Sequence, residues 1–305
     1  MSDLAPAPPT QRTNIGHDDY PALFIGANAA SSTGRRHYFR IVKADLLFLL
    51  AGATLSTIAP LLDTVSGQTI RSISVAFLVL GFVAKTSGRI RRFDNEWFDG
   101  RAVAESVKTL TWRFMMRVSP FDGTDRDAEQ RFSSDLREII RSYPGLILEL
   151  GSEPTSARQV TPNMRAVRNE PYDARRAFYL SERIDDQIRW YAGRAEQNRR
   201  AASRWFWLGL AAQSSAIGLT IVRIVVTSGP DIVALAAAIS AMATAWTQIN
   251  RNDELAKSYG VAAQELILIK GELENAEAEA EFIDIVAEAE SAISREHTMW
   301  MAKRR

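Results

Sequence analysis

The sequence of 305 residues contains no cysteine. This absence excludes a disulfide framework, a thiolate metal site and a cysteine nucleophile. An excess of one charge is also missing, because 37 basic residues are balanced by 36 acidic ones. The chain therefore has no overall electrostatic attraction to nucleic acid, and no nucleic-acid partner is expected.

Recognisable catalytic and metal-binding patterns are missing as well. The histidines, His17, His37 and His297, are scattered, and no glycine-rich phosphate loop or GxSxG elbow occurs. Asp185 and Asp186 are adjacent, but neighbours on a helix diverge by about 100°, so we expect two exposed carboxylates instead of a catalytic pair. The sequence thus predicts no enzyme, no cofactor and no metal site.

Four uncharged apolar runs are the most prominent feature that is present. They are Leu46–Leu62, Ser72–Ala84, Trp205–Val222 and Ile232–Ile249. Eighteen helical residues reach about 27 Å, close to the hydrocarbon thickness of a bilayer, whereas the thirteen of Ser72–Ala84 reach only about 20 Å. Short connections, Asp63–Arg71 and Arg223–Asp231, join the runs into two antiparallel hairpins.

The two hairpins have the form of copies. A shift of 160 residues lays the first pair of runs on the second without a gap. Beyond the hairpins the same shift places Arg91 on Arg251 and Gly100 on Gly260. The shared order of apolar runs and turns predicts a tandem duplication.

Basic residues are sorted alike in both copies. They flank the outer ends of each hairpin, while each hairpin loop carries one arginine, Arg71 or Arg223. This pattern predicts a multi-pass membrane protein with both termini in the cytoplasm. The expected interface anchors are Arg40, Lys43, Arg89, Arg91, Arg200, Arg204, Trp205, Trp207, Trp246 and Arg251. A soluble bundle with long core helices is the alternative, favoured by the short Ser72–Ala84 run.

Polar and small residues inside the third and fourth runs are candidates for helix association. Gln213, Ser214 and Ser215 lie near the middle of the third run and either hold helices together or line a pore. The fourth run has small residues at a spacing that lets helix backbones approach closely in lipid. These are Ala234, Ala238, Ala241 and Ala245, and the sequence leaves open whether they pack within one subunit or between subunits.

The remaining chain is expected to be helical and outside the bilayer. We predict a disordered tail (1–20), a first repeat (21–143), a proline-containing linker (144–171) and a second repeat (172–305). After the fourth run a coiled-coil seam is predicted, within or between subunits, at Leu266, Ile269, Leu273, Ala276, Ala280, Ile283 and Ala287. The acidic stretch 265–290 is expected to be a solvated helix face opposite the arginine-rich Tyr172–Arg204.

Two segments carry a family resemblance. "DYPALFIGANAASSTGRRHYFRIVKADLLFLL" (Asp19–Leu50) and "YLSERIDDQIRWYAGRAEQNRRAASRWFW" (Tyr179–Trp207) resemble the helices that lead into the membrane in bacterial SLATT domains. "WFDGRAVAESVKTLTWRF" and "YGVAAQELILIKGEL" resemble the family's returning helix. These are two-transmembrane modules associated with nucleotide-synthesising and nucleotide-sensing defence genes.

The resemblance implies an all-α protein of the bacterial inner membrane, with two transmembrane hairpins (four spans) and long cytoplasmic helices forming a bundle. It further implies an effector of anti-phage defence that forms a homo-oligomer and opens a pore or disrupts the bilayer, with no catalytic residues to carry over. The chain differs from simple members in having two copies and no attached sensor, so an upstream sensor protein or a nucleotide signal would have to trigger it. The alternative is a non-toxic membrane scaffold that recruits cytoplasmic partners.

Overall fold

The protein is all-α in the computed structural model, which describes residues 15–62, 64–146, 159–226 and 232–302 and contains no strand within them. The first repeat contains α1 (Ala22–Ile58), α2 (Thr64–Arg91), α3 (Phe93–Met115) and α4 (Asp125–Ser142), followed by the short α5 (Pro162–Arg168). Helix α6 (Tyr172–Tyr179) continues through a π-helical turn (Leu180–Ile184) into α7 (Asp185–Val225). The chain then forms α8 (Ile232–Asn250), α9 (Asn252–Asn275) and α10 (Glu279–Ala302).

Four of these helices are long and apolar enough to cross a membrane, namely α1, α2, α7 and α8. The predicted number of spans is therefore confirmed. Helix α2 begins at Thr64, eight residues before Ser72, and its 28 residues measure about 42 Å. The second span is long enough because the helix includes residues that the sequence assigned to the hairpin loop.

The chain divides into two compact units. One, the core unit, consists of the described residues within Met1–Ala29, Arg101–Gln187 and Glu265–Arg305. The other, the hairpin unit, consists of Ala30–Gly100 and Ile188–Gln264. Each unit thus takes segments from both predicted repeats.

The predicted tail (1–20) and the predicted linker (144–171) both contain short helical segments in their described parts. Residues 147–158 of the predicted linker and residues 1–14 of the predicted tail lie outside the described residues. Of the remainder, α5 falls within 144–171 and buries Met164, Val167 and Arg168. Residues His17–Asp19 form a 3₁₀ turn, and Tyr20 is buried.

The predicted seam after the fourth span is right in its first half and wrong in its second. Leu266, Ile269, Leu273 and Ala276 are buried within this chain. The helix then ends at Asn275, and α10 begins at Glu279, so no continuous coiled coil forms. The interruption changes the register: Phe282, Val286, Ala289 and Ile293 are buried in place of Ala280, Ile283 and Ala287. The Glu277 N–H donates to the Glu281 carboxylate at 3.1 Å and helps the new helix to start.

An arginine in a left-handed conformation follows each hairpin. Arg92 (φ 50°) separates α2 from α3, and Arg251 (φ 52°) separates α8 from α9. These breaks are 159 residues apart, so the repeat register beyond the hairpins is 159 and the predicted match of Arg91 to Arg251 is one residue off. With this shift the buried positions coincide: Val103, Ala104, Val107 and Phe114 correspond to Ala262, Ala263, Leu266 and Leu273.

Close backbone approach joins α1 to α3 in the hairpin unit. The Ser31 hydroxyl donates to the Trp97 carbonyl at 3.1 Å. A Cβ atom on Gly34 would lie 2.7 Å from the Trp97 nitrogen and 3.0 Å from the Phe93 oxygen. Only glycine fits this position, because backbone atoms cannot move aside as a flexible side chain can.

We expect Gly34→Ala to destabilise the protein by about 1–3 kcal/mol through overpacking. The matched control is Gly193→Ala, since no atom lies within 4 Å of the added Cβ there. That change should stabilise by about 0.5–1 kcal/mol, as is usual for Gly→Ala inside a helix. Thermal unfolding of both variants in detergent measures the two effects, and shifts of the same sign would contradict this view of the α1–α3 contact.

Candidate functional site

The exposed apolar side chains of the described residues lie mainly on the spanning helices. Large exposed ones occur between Leu47 and Ile90 and between Phe206 and Ile232, with three exceptions that are all on α9. On α2 they include Val75, Val79 and Phe82. Such contiguous apolar surface is typical of a bilayer-facing protein.

Each hairpin is closed by a serine that bonds to a glycine carbonyl of the opposite helix. In the first, the Ser74 hydroxyl donates to the Gly52 oxygen at 2.7 Å. In the second, the Ser240 hydroxyl donates to the Gly209 oxygen at 3.3 Å. Small residues let the helices come this close, and the bonds satisfy both hydroxyls in a setting without water.

The alanines predicted for helix packing lie on another face of α8. The face towards α7 contains Ala236, Ser240 and Ala243, and Ala243 lies 3.6 Å from the position of a Cβ on Gly209. Ala234 and Ala241 are exposed, and Ala238 and Ala245 are partly buried. At about 100° per residue, the predicted ladder lies on the side of α8 that faces away from α7.

Three of the predicted interface anchors come together in the hairpin unit. The Trp246 ring centroid lies 5.8 Å from that of Trp205, and the Lys43 ammonium lies 5.8 Å from the Trp246 ring. Phe39 joins this aromatic group at 6.1 Å from Trp246. A cation and aromatic rings at the end of a span are the combination that an interfacial belt requires.

The other predicted anchors are separate from this group. Two of them form ion pairs within the chain, Arg200 with Glu196 at 2.5 Å and Arg251 with Glu254 at 2.6 Å. Four others are exposed, namely Arg40, Arg91, Arg204 and Trp207. The Arg89 side chain lies outside the described part of the structure. Their place at the membrane surface stays a prediction.

The polar residues in the middle of α7 are exposed. The Ser215 hydroxyl donates to the Ala211 carbonyl at 2.8 Å and is satisfied within its own helix. Gln213 is different, because within the described ranges its amide has no hydrogen-bond partner. An amide facing hydrocarbon is unfavourable, so Gln213 needs water or a polar group from another molecule.

The core unit is built around a buried ion pair that the sequence did not predict. Arg183, in the π-helical turn, donates to both Glu290 oxygens, at 2.8 Å and 2.7 Å. The two side chains are 1% and 0% exposed. The Tyr179 hydroxyl also donates to Glu290, at 3.0 Å, and the guanidinium lies 5.8 Å from the Trp112 ring. The bidentate geometry and the tyrosine stabilise a carboxylate that is cut off from water.

Two further buried arginines hold the end of α3. Arg168 donates to the Phe114 carbonyl at 2.8 Å and pairs with Asp125 at 3.0 Å. Arg175 donates to the Met116 carbonyl at 3.1 Å and pairs with Glu279. Carbonyls at a helix C-terminus lack partners within the helix and attract cations, which both arginines supply.

Tyr20 completes the aromatic side of this core. The Trp112 indole N–H donates to its hydroxyl at 3.1 Å. Burial raises the pKa of Tyr20 to about 12, against the opposing charge of Arg183. The phenol is therefore neutral at physiological pH and acts as a structural hydrogen-bond acceptor.

The expected pairing of the acidic stretch with the arginine-rich helix is confirmed by Arg175–Glu279 and Arg183–Glu290. The stretch is not uniformly solvated, however, since Glu290 is fully buried. Asp185 was expected to be exposed, but it is partly buried and accepts a hydrogen bond from Lys270 at 2.7 Å. The charge composition of the two segments predicted their ion pairing. It could not predict which of these carboxylates are buried, because burial depends on how the helices pack in the tertiary structure.

No cluster of three or more histidine, aspartate or glutamate side chains suited to a metal ion occurs among the described residues. What the structure offers instead is a pair of apolar hairpins and a core crossed by buried arginines. The site of interest is therefore the membrane-facing surface of the hairpins.

A helical chain with two hairpins of this kind is a multi-pass membrane protein. Residues 21–176 match the family described as SMODS and SLOG-associating 2TM effector domain 3, and residues 179–300 match SMODS and SLOG-associating 2TM effector domain 1. The chain therefore belongs to the SLATT family and contains two of its domains in tandem. It is a membrane effector of a family that is associated with defence systems.

The first of these matches runs through the segment 144–171, which the sequence assigned to a linker. No curated protein and no solved structure matches the chain.

We expect Glu290→Ala to destabilise the protein by about 3–5 kcal/mol, because it leaves the Arg183 charge buried without a partner. The control is Glu288→Ala on the exposed side of the same helix, which should change stability by less than about 0.5 kcal/mol. Denaturant unfolding in detergent, followed by tryptophan fluorescence, measures both. A double change, Arg183→Met with Glu290→Met, should recover most of the loss, and equal effects of the two glutamate variants would refute a special role for the pair.

Proposed function

We propose that this protein is an effector of anti-phage defence in the bacterial inner membrane that self-associates and opens a pore or disrupts the bilayer. It acts without catalysis and without a cofactor, and its termini lie in the cytoplasm. The observation that carries the proposal is the difference between the surfaces that α2 and α8, the second helices of the two hairpins, expose.

The first hairpin exposes side chains that suit lipid. Helix α2 presents Val75, Leu78, Val79, Phe82 and Val83, all large and all exposed. Long aliphatic and aromatic side chains pack well among acyl chains and keep backbones apart. This surface supports a lipid-facing role for the first hairpin.

Helix α8 of the second hairpin exposes alanines, whereas its neighbour α7 exposes large side chains such as Phe206, Ile217 and Ile221. Ala234, Ala237 and Ala241 are exposed on α8, on a face that does not take part in the contact with Gly209. Between helices in lipid there is no hydrophobic gain, and association depends on close backbone approach over small residues. The alanine face supports contact with a second copy of the chain.

Gln213 supports the same assembly. Identical copies of a protein lie at the same depth in a membrane. The Gln213 side chains of two neighbouring copies are therefore at the same level and can contact each other. A primary amide both donates and accepts, and it can therefore pair with its counterpart or face water in a lumen. Either arrangement satisfies an amide that has no partner among the described residues of the single chain.

Membrane potential is the direct test. Expression in a bacterium loaded with a potential-sensitive dye should collapse the potential and stop growth. Ala241→Leu should abolish the effect because it separates the backbones, while Ala76→Leu, on the exposed surface of α2, should leave it intact. An unchanged potential with membrane-inserted wild-type protein would refute pore formation and favour the non-toxic scaffold.

Cysteine cross-linking tests the assembly separately. The native chain has no cysteine, so each introduced thiol is the sole one. Under oxidation, Ala237→Cys or Ala241→Cys should give disulfide-linked dimers in membranes, since a disulfide requires Cα atoms about 4.4–6.8 Å apart. Ala76→Cys on α2 and Ala243→Cys, which is 1% exposed, should remain monomeric. Dimers at position 76 and not at 237 or 241 would overturn the assigned interface.

A further inference from the structure

One apolar surface of the described residues lies outside the spans. Val261, Ile267 and Leu268 of α9 are 67%, 45% and 71% exposed, and they are the three exceptions noted above. Five charged residues, Arg251, Asp253, Glu254, Lys257 and Glu265, separate the fourth apolar run from Leu268, and so many charges do not suit a bilayer interior, so lipid contact does not explain its exposure. We call the part within the core unit, formed by Ile267, Leu268 and Gly271, the open α9 face.

The first repeat shows what such a face does. The 159-residue register matches Ile267, Leu268 and Gly271 to Lys108, Thr109 and Trp112 of α3. Trp112 is 1% exposed, and its ring lies 5.7 Å from Tyr179 and 5.9 Å from Phe178. The α3 face is thus covered by an arginine-bearing helix that presents aromatic side chains.

The open α9 face has room for a large side chain. No atom lies within 4 Å of the position that a Cβ on Gly271 would occupy. The corresponding residue of α3, Trp112, fills this place with its own indole ring. A partner of α9 therefore has to supply the bulky group that α3 supplies itself.

Acidic residues border the same surface. Glu265 and Glu272 are exposed and lie three residues before and four residues after Leu268, so they flank it on one side of the helix. Their charges favour a partner with arginine or lysine along the facing edge and disfavour an acidic one.

We propose that the open α9 face is the docking surface for an amphipathic helix of a partner protein. That helix places an aromatic or large aliphatic side chain over Gly271, packs against Ile267 and Leu268, and sets basic residues beside Glu265 and Glu272. The mode is that of a helix bound by its apolar face. This inference rests on the proposed function in one respect, namely that docking of the partner activates the effector. The docking itself is argued from the geometry of α9 alone.

The probe is a fluorescent peptide with the sequence of Pro171–Arg189, the segment that covers α3 and carries both aromatic rings and arginines. It is titrated by anisotropy into the full-length protein in detergent. For one helix on a small surface we expect a Kd on the order of 10 µM. Leu268→Glu should weaken binding at least tenfold, and a peptide with Phe178→Ala and Tyr179→Ala should not bind.

Ala280→Glu adds the same charge at an exposed position of α10 and is the matched control, with binding expected to be unchanged. Both variants should unfold at the wild-type temperature, because both positions are exposed. Absence of saturable binding overturns the proposal. So does binding that Leu268→Glu leaves unaffected, since the peptide would then have exchanged with the native helix on α3.

A second experiment tests whether another copy of this chain, instead of a partner protein, covers the open α9 face. Leu268→Cys provides a sole thiol, and efficient disulfide-linked dimers under oxidation would show that a second copy covers the face and would refute a partner helix. The peptide titration does not depend on pore formation. Binding without depolarisation in the dye assay would reject the proposed function alone, and depolarisation without binding would reject the docking surface alone.

Discussion

The pair of Arg183 and Glu290 is the interaction on which the core unit depends. Removing two charges from water costs several kcal/mol for each, and that cost is offset only when geometry and further hydrogen bonds are favourable. Here the guanidinium bonds to both carboxylate oxygens and Tyr179 adds a third bond. The two partners are 107 residues apart, so α10 and the π-helical turn must both be in place before either charge is satisfied. A core of this kind favours one arrangement of its helices, because alternatives leave a charge buried alone.

Duplication has preserved the frame of the two repeats and changed their surfaces. Both hairpins end at an arginine with positive φ. Each is also closed by a serine-to-glycine bond, but the serines are 166 residues apart and the glycines 157, so these bonds do not occupy corresponding positions. The buried positions of α3 and α9 coincide, yet Trp112 corresponds to Gly271 and Thr109 to Leu268. The two faces have therefore diverged: α3 buries Trp112, which is 1% exposed, whereas α9 leaves Leu268 71% exposed. The helix ends and the buried positions are fixed by backbone geometry and packing. The exposed positions of the two repeats are free to diverge, because each repeat has different neighbours.

The sequence predicted features that repeat along the chain and missed those that depend on tertiary fit. The four runs, their pairing and the first half of the seam were evident from periodicity. The start of α2 was left open because Thr64–Arg71 is polar, and a hydropathy argument cannot say how far a helix extends beyond its apolar run. The break at Asn275 was missed because nothing in "ENAEAEA" interrupts a helix by propensity. Arg168, Arg175 and Arg183 gave no signal of burial, since their partners are backbone carbonyls and carboxylates from distant segments.

Two hairpins allow a division of labour that one hairpin could not provide. A helix that faces lipid needs large side chains, and a helix that meets its own copy needs small ones; on a single pair of helices these demands compete for the same positions. In this chain α2 exposes valine, leucine and phenylalanine, while α8 exposes alanine. In the proposed assembly α8 forms the contacts between copies, while α2 faces the acyl chains. Gln213 then lies on α7, the neighbour of α8 in the associating hairpin, where a polar partner or water can reach it.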